Sequence, residues 1–120
     1  MPVHHVALRS PDPLTLAGFY AAALDLREIR RAEDEAGVCS VWLDLGGSIL
    51  MVERGAAHAQ DSGWDGLFLE AEAGSGATWE ARWAGMGVVA TGRTDFTLYA
   101  RDPEGNRLGV SSFPGGLWGS

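Results

Sequence analysis

Residues 2–26 read PVHHVALRSPDPLTLAGFYAAALDL and change from the period of a strand to the period of a helix at two prolines. The apolar and branched side chains up to residue 9 predict a first strand, which must end at residues 10–13 because proline cannot continue a strand ladder. Beyond Pro13 the apolar residues fall on one helical stripe. Asp12 stands at the expected N-cap position and Pro13 at the first helical position. We therefore predict a helix over residues 13–24.

The same order of elements is predicted twice along the chain. Strands are expected at residues 26–31, 38–45 and 48–53 after the first helix, with turn-forming glycines between them. The second copy comprises a strand at 64–71, a helix at 75–85 and strands at 88–91, 96–101 and 106–113. His5 lies 60 positions before Asp65, and Gly47 lies 58 before Gly105. This indicates a duplicated βαβββ unit in an α+β fold with mostly antiparallel sheet.

The boundaries of this organisation follow from the same pattern. We expect a single domain over residues 1–120, with module one at about 3–54, a polar linker at about 55–63 and module two at about 64–113. Residues 114–120 are rich in glycine and are expected to form a flexible tail.

Composition restricts the classes of partner. The chain has 120 residues, 46% of them hydrophobic, and no window approaches the ~18 apolar residues of a membrane span. Nine basic residues, all arginine, against sixteen acidic ones give a net charge of −7, so nucleic acid is not an expected partner. The first residues lack the pattern of a secretory signal, and the single Cys39 has no disulfide partner in the chain. We therefore expect a soluble cytoplasmic protein that binds neither membrane nor nucleic acid.

Three motifs follow one another over the duplication. They are His4-His5-Val6-Ala7-Leu8, then Phe19-Tyr20 shortly before Leu24-Asp25-Leu26, and finally Asp102-Pro103-Glu104-Gly105-Asn106 before the closing strand. Together they resemble the vicinal oxygen chelate superfamily, which includes glyoxalases, bleomycin-resistance proteins and dioxygenases. The resemblance implies curved sheets whose two halves enclose a cup for a small molecule. It also implies a structural turn at 102–105, where proline and glycine suit their turn positions.

For catalytic members, the resemblance implies one divalent metal held by the first and last strands of both units. Position by position, His5 stands at the usual first-strand histidine, and Asp65 stands where histidine or glutamine is usual. Met51 and Gly109 occupy last-strand positions where glutamate is common, and glycine offers no ligand atom. An open catalytic site needs about three protein ligands, so we expect no metal cofactor and assign no catalytic residue. The double change Met51→Glu and Gly109→Glu is expected to raise divalent affinity.

An alternative metal site remains open. Glu53 lies two residues beyond Met51 and should face the same side of the strand, so His5, Glu53 and Asp65 would form a set of one histidine and two carboxylates. In that case the protein would be a metal-dependent lyase, isomerase or dioxygenase. With or without a metal, we predict that one group of residues lines the ligand pocket: His5, Trp42, Met51, Glu53, Asp65, Tyr99 and Gly109.

Three functions are therefore considered, in this order. The first is a metal-free protein of the resistance type that sequesters a small organic molecule. The second is the metal-dependent enzyme, and the third is a regulatory or assembly domain that has kept only the fold. We also expect a homodimer, because a four-stranded half-cup has free strand edges. The identity of the ligand, any residual catalysis, and whether the cup closes within a chain or across a dimer stay open.

Overall fold

The computed structural model describes residues 2–57 and 66–119. Within them the chain follows the predicted order, a strand, a helix and three strands, twice over. It divides into two compact units, Met1–Ala59 and Gln60–Ser120, which we call unit 1 and unit 2. The α+β class and the repeated order of elements are confirmed.

Unit 1 contains one helix and a four-stranded sheet. Its elements are β1 (His5–Ser10), α1 (Pro13–Ala23), β2 (Glu28–Asp34), β3 (Gly37–Asp44) and β4 (Ile49–Arg54). The order in the sheet is β1-β4-β3-β2. β1 runs parallel to β4, and the other two pairings are antiparallel. The sheet is thus mixed but mostly antiparallel.

Helix α1 begins as its sequence predicts. The carboxylate of Asp12 accepts hydrogen bonds from the backbone N–H of Thr15 at 3.3 Å and from its hydroxyl at 2.6 Å. The hydroxyl bond is the main reason that the pKa of Asp12 lies below its ordinary value.

The helix packs on β3, β4 and β1. The buried apolar residues of unit 1 are Leu16, Ala17, Tyr20, Ala23, Leu24, Val41, Leu43, Leu50 and Val52.

Unit 2 repeats this topology with shorter strands. Its elements are β5 (Gly66–Glu70), α2 (Gly76–Gly85), β6 (Ala90–Arg93), β7 (Thr97–Arg101) and β8 (Arg107–Ser111). The order in the sheet is β5-β8-β7-β6, with β5 parallel to β8 and the other two pairings antiparallel. The buried apolar residues are Trp83, Leu98, Ala100, Leu108, Val110 and Leu117.

The segment after β8 packs against α2 and thereby corrects the expectation of a flexible tail. Helix α2 buries only Gly76 and Trp83 of its own residues. Leu117 is fully buried, donates its N–H to the carbonyl of Asp95 at 2.8 Å and accepts from the N–H of Gly76 at 2.9 Å. The indole of Trp118 donates to the carbonyl of Thr94 at 2.8 Å. The glycines gave the segment its flexible appearance, but Leu117 and Trp118 anchor it.

The turn between β7 and β8 is organised by one carboxylate. Asp102 is only 5% exposed and accepts hydrogen bonds from the backbone N–H groups of Glu104 at 2.8 Å and Asn106 at 2.9 Å. The side-chain amide of Asn106 donates a third at 2.8 Å. Gly105 has a φ of 87°, which suits glycine. The structural role expected for this turn agrees with these contacts.

Among the described residues, neither helix has the length and apolar character needed to cross a membrane.

Candidate functional site

Each sheet has one face toward the helix of its unit and one face away from it. In β3 and β4, Val41, Leu43, Leu50 and Val52 are buried and alternate with half-buried neighbours. Since side chains alternate along a strand, these neighbours lie on the opposite face. We call this second face, in either unit, the helix-free face.

The helix-free face of unit 1 carries Trp42 and Met51, which are directly paired across β3 and β4. Both are half-buried. The indole N–H of Trp42 donates to the hydroxyl of Ser40 at 2.9 Å, and the guanidinium of Arg30 lies 4.9 Å from the centre of the indole ring. The large side chain of Trp42 is therefore held in place by its neighbours on this face.

The strand register places two predicted site residues of unit 1 apart. His5 pairs with Ile49, whereas Glu53 pairs with Arg9. His5 and Glu53 therefore stand four residues apart along neighbouring parallel strands, roughly 13 Å at the usual rise per residue. The alternation of β4 does put Met51 and Glu53 on one face, as expected, but the register does not bring Glu53 beside His5. Asp65, the third residue of that alternative set, lies outside the described residues.

His5 has a different close neighbour, His4. The Nδ1 atoms of the two rings lie 2.9 Å apart, and both residues are exposed. One ring must donate its N–H while the other accepts, so the two imidazoles hold different tautomers when both are neutral. In a regular strand the side chains of His4 and His5 would point to opposite faces. Because β1 begins only at His5, this alternation does not apply to His4.

The helix-free face of unit 2 is built on an aromatic pair over a glycine. Gly109 of β8 pairs with Phe68 on one side and with Tyr99 on the other. The rings of Phe68 and Tyr99 meet edge to face at 5.7 Å between centroids. A Cβ atom on residue 109 would lie 2.8 Å from Cδ1 of Phe68 and 2.7 Å from the carbonyl oxygen of Leu98. Glycine at 109 is what allows the Phe68 ring to cross β8.

Two arginines stand in the neighbouring row of this face. Arg107 and Arg101 are directly paired across β8 and β7. The guanidinium of Arg107 lies 4.3 Å from the ring centre of Tyr99 and 5.5 Å from that of Phe68. Arg101 donates to the carbonyl of Gly105 at 2.9 Å. The face thus combines two aromatic rings with two cations.

Several solved structures share this arrangement of elements. A lactoylglutathione lyase from Agrobacterium tumefaciens matches 99% of this chain and 97% of its own, with a TM-score of 0.74 and 19% identity. The chain has the vicinal oxygen chelate fold. The fosfomycin resistance protein FosX from Listeria monocytogenes matches over 92% of this chain and 90% of its own, with a TM-score of 0.77 and 14% identity. TioX from Micromonospora sp. ML1 matches over 93% and 98%, with a TM-score of 0.69 and 17% identity.

At these identities the likeness defines the fold alone. No protein-family model matches the sequence, and no curated protein does. FosX has been solved in complex with Mn(II) and a sulfate ion, so one protein with the vicinal oxygen chelate fold binds a divalent metal. Whether this chain can do the same depends on its own donor atoms.

The described residues do not supply a divalent site of the kind that this fold can carry. The neighbour of His5 in β4 is Ile49, and the next residue in that row is Asp44 of β3. The carboxylate of Asp44 is held by the N–H of Gly46 at 2.7 Å and by Arg27 at 3.4 Å. The Gly46 bond is the main reason that the pKa of Asp44 is below its ordinary value. In residues 2–57 and 66–119, no group of three His, Cys, Asp or Glu side chains could hold a metal ion.

Sequence reasoning missed several members of these faces. Trp42, Met51, Tyr99 and Gly109 were predicted pocket residues, and the structure places them on helix-free faces. Arg101 lies two residues beyond Tyr99, and Arg107 lies two residues before Gly109. Strand alternation could therefore have identified both arginines. The positions of Phe68 beside Gly109 and of Ile49 beside His5 result from the parallel pairing of β5 with β8 and of β1 with β4. No local sequence pattern predicts these pairings. Arg30 was missed because β2 is almost entirely exposed.

Proposed function

We propose that this protein binds a small organic molecule on its helix-free faces without a catalytic metal, in the manner of a sequestering resistance protein. The observation that carries the proposal is the aromatic pair over Gly109. The position at which a metal-binding relative would hold a carboxylate is taken by the ring of Phe68, which is 39% exposed. Aromatic side chains bury large contact areas and are common in the lining of small-molecule sites.

Unit 1 supports the same proposal through Trp42. Its indole is fixed by the hydroxyl of Ser40 and by Arg30, and Met51 lies beside it. A rigid indole next to a flexible thioether offers apolar contact to ligands of varied shape. We place His5 and Glu53 at the polar edges of this surface. The sequence also predicts Asp65 as a pocket residue, and it lies outside the described residues.

The alternative, a divalent-metal-dependent lyase, isomerase or dioxygenase using His5, Glu53 and Asp65, is less well supported. The register holds His5 and Glu53 roughly 13 Å apart along the strands, beyond the reach of ordinary side-chain geometry toward one ion. Met51 adds only a thioether, which suits soft ions such as copper(I).

We further propose that the protein acts as a homodimer in the cytoplasm. β2 and β6 each form one edge of their own sheet, and nearly all of their residues are exposed. Exposed strand edges are commonly covered by a partner. Light scattering at high micromolar concentration would test this, and a monomer there would contradict it.

Metal content and binding of a neutral probe test the main proposal. Tag-free protein should carry no divalent ion at one per chain. 1-Naphthalenemethanol should bind to it, and the Phe68→Ala variant should lose affinity by about 2- to 10-fold, the range expected for one aromatic contact. Val3→Ala is the control, because Val3 is 61% exposed and lies before β1 in unit 1. One ion per chain, lost on His5→Ala, would contradict the metal-free proposal and favour the metal-dependent alternative.

A further inference from the structure

One row of paired residues on the helix-free face of unit 1 crosses all four strands of its sheet. Ala7 of β1 pairs with Met51 of β4. Met51 pairs in turn with Trp42 of β3, and Trp42 pairs with Arg30 of β2. Directly paired residues point to the same face of a sheet. The row is therefore apolar over three strands and ends in a cation on the edge strand β2.

The cation of this row is positioned by an indole ring rather than by an acid. The guanidinium of Arg30 lies over the Trp42 ring, 4.9 Å from its centre. Among the residues that the structure describes, the ion pairs of unit 1 use Arg27, Arg31 and Arg54. A guanidinium over an aromatic ring keeps its N–H donors in its own plane, where a carboxylate can accept two parallel hydrogen bonds.

The acidic residues at neighbouring positions have cations of their own. Glu28 forms an ion pair with Arg31 at 2.8 Å, and Arg31 pairs with Val41 on the helix side of the sheet. Glu53 stands directly opposite Arg9 in the next row. Opposite charges in directly paired positions attract each other. The chain has sixteen acidic residues and only nine basic ones, yet the cation at the end of the apolar row is not matched with an acid in the described part of the chain.

The apolar part of the row has a defined length. Ala7 and Trp42 lie two strand spacings apart, roughly 10 Å at the usual distance between strands. Ala7 is exposed, and its short side chain leaves space above β1. Met51 lies between them, and its flexible thioether can adapt to a ligand. An extended hydrocarbon chain can therefore lie over these three side chains with its charged end at Arg30.

We propose that the ligand of this face is an elongated apolar carboxylic acid, whose carboxylate is bound by Arg30 and whose hydrocarbon lies across Trp42, Met51 and Ala7. This inference rests on the proposed small-molecule function and specifies its ligand class. It assigns Arg30 as the residue that selects an anion over a neutral molecule of the same length.

Two probes of the same length separate the charge from the hydrocarbon. Octanoate and 1-octanol carry the same straight chain and differ in a carboxylate against a hydroxyl. Titration calorimetry at low ionic strength should show that octanoate binds about three- to tenfold more tightly, as expected for one charge-assisted contact that stays partly exposed. Added salt should reduce this preference, because exposed charges are screened. Butanoate should bind far more weakly than octanoate, and equal binding would overturn the proposed length.

Variants then assign the preference to one arginine. Arg30→Gln should remove most of the octanoate preference while changing the affinity for 1-octanol by less than about threefold. Arg30→Lys keeps the charge but not the planar fork, and should retain only part of the preference. Arg31→Gln is the matched control, because Arg31 is the next residue of β2 and pairs with Val41 on the opposite face. A purely structural role for Arg30 would lower both affinities together.

The outcomes separate this inference from the proposed function. Equal affinity for octanoate and 1-octanol in the wild type, or an unchanged ratio in Arg30→Gln, would overturn the assignment of a carboxylic acid to this face. Binding of 1-naphthalenemethanol by the same protein would then leave the small-molecule function standing. Failure of all these probes to bind would contradict the proposed function as well. Thermal melts of each variant should show that the fold is intact before affinities are compared.

Discussion

On the helix-free face of unit 2, the ring of Phe68 occupies the volume that a side chain at position 109 would need in place of Gly109. A Cβ atom on residue 109 would lie 2.8 Å from Cδ1 of Phe68, and it would also lie 2.7 Å from the backbone oxygen of Leu98. The ring of Phe68 could rotate away, but the backbone of β7 could not without disturbing the ladder. The sequence favoured Gly109→Glu as half of a restored metal site, and this geometry opposes that change.

Gly109→Ala should therefore destabilise the protein by about 1–3 kcal/mol, the usual cost of adding atoms to a filled site. Urea unfolding measures the change. Gly92→Ala is the control, because Gly92 lies opposite Tyr99 on the other side and a Cβ there meets nothing within 4 Å. Equal stability of the two variants would contradict the proposed packing of Phe68.

Leu117 anchors the segment after β8, so Leu117→Ala should cost about 2–5 kcal/mol, the range for truncating a buried leucine. Thermal or urea unfolding would show this. Val89→Ala, at an exposed site, should change stability by no more than about 0.5 kcal/mol. An effect of Leu117→Ala no larger than the control would favour the flexible tail expected from composition.

Asp102 accepts three hydrogen bonds in the turn after β7, and Asp102→Ala would leave those donors without their acceptor. We expect a loss of about 1–3 kcal/mol for each donor that stays buried and unpaired. Asp102→Asn keeps one acceptor oxygen and should lie between the wild type and the alanine variant. If the alanine variant unfolded at the same urea concentration as the wild type, the turn would not be a structural element.

The ion pair between Asp34 and Arg54 should make stability depend on pH. Arg54 donates to both carboxylate oxygens of Asp34, at 2.6 and 2.9 Å, and the hydrogen bonding to Arg54 is the main reason that the pKa of Asp34 lies below its ordinary value. A pKa lowered by folding adds stability that is complete above the unfolded pKa and is lost as the pH falls through the folded one.

Asp34→Asn should accordingly be less stable than the wild type near neutral pH. The difference in melting temperature should shrink as the pH falls below about 4, the ordinary pKa of an aspartate, because the stability that the lowered pKa adds is then progressively lost. Arg54→Gln provides the control, because without the guanidinium the Asp34→Asn change should show little pH dependence. A difference that is constant over this range would exclude the ion pair as its cause.

The sequence predicted the elements well because their signals are local. The prolines at 11 and 13, the N-cap Asp12 and the paired glycines at 46 and 47 mark ends and turns by their own backbone preferences. The observed boundaries differ from the predicted ones by a few residues. The repeated order of strands and helices could be predicted from the near-constant spacing between equivalent residues of the two halves.

The site was less predictable because it depends on register between distant strands. Alternation within β4 placed Met51 and Glu53 on one face, but the pairing of His5 with Ile49 is a property of β1 and β4 together. The close contact of His4 with His5 and the packing of Phe68 over Gly109 likewise depend on three-dimensional positions. The glycines of residues 114–120 also indicated a flexible tail, whereas the contacts of Leu117 and Trp118 hold this segment in place.

The contacts of Leu117 have a consequence for synthesis on the ribosome. Unit 1 pairs its first strand with its last within about fifty residues, so it can complete its core as soon as β4 has emerged. Unit 2 cannot, because the place beneath α2 is filled by a residue that is translated after its last strand. The two halves of an apparently symmetrical chain should therefore acquire structure in succession, with the first half folded while the second still waits for its final residues.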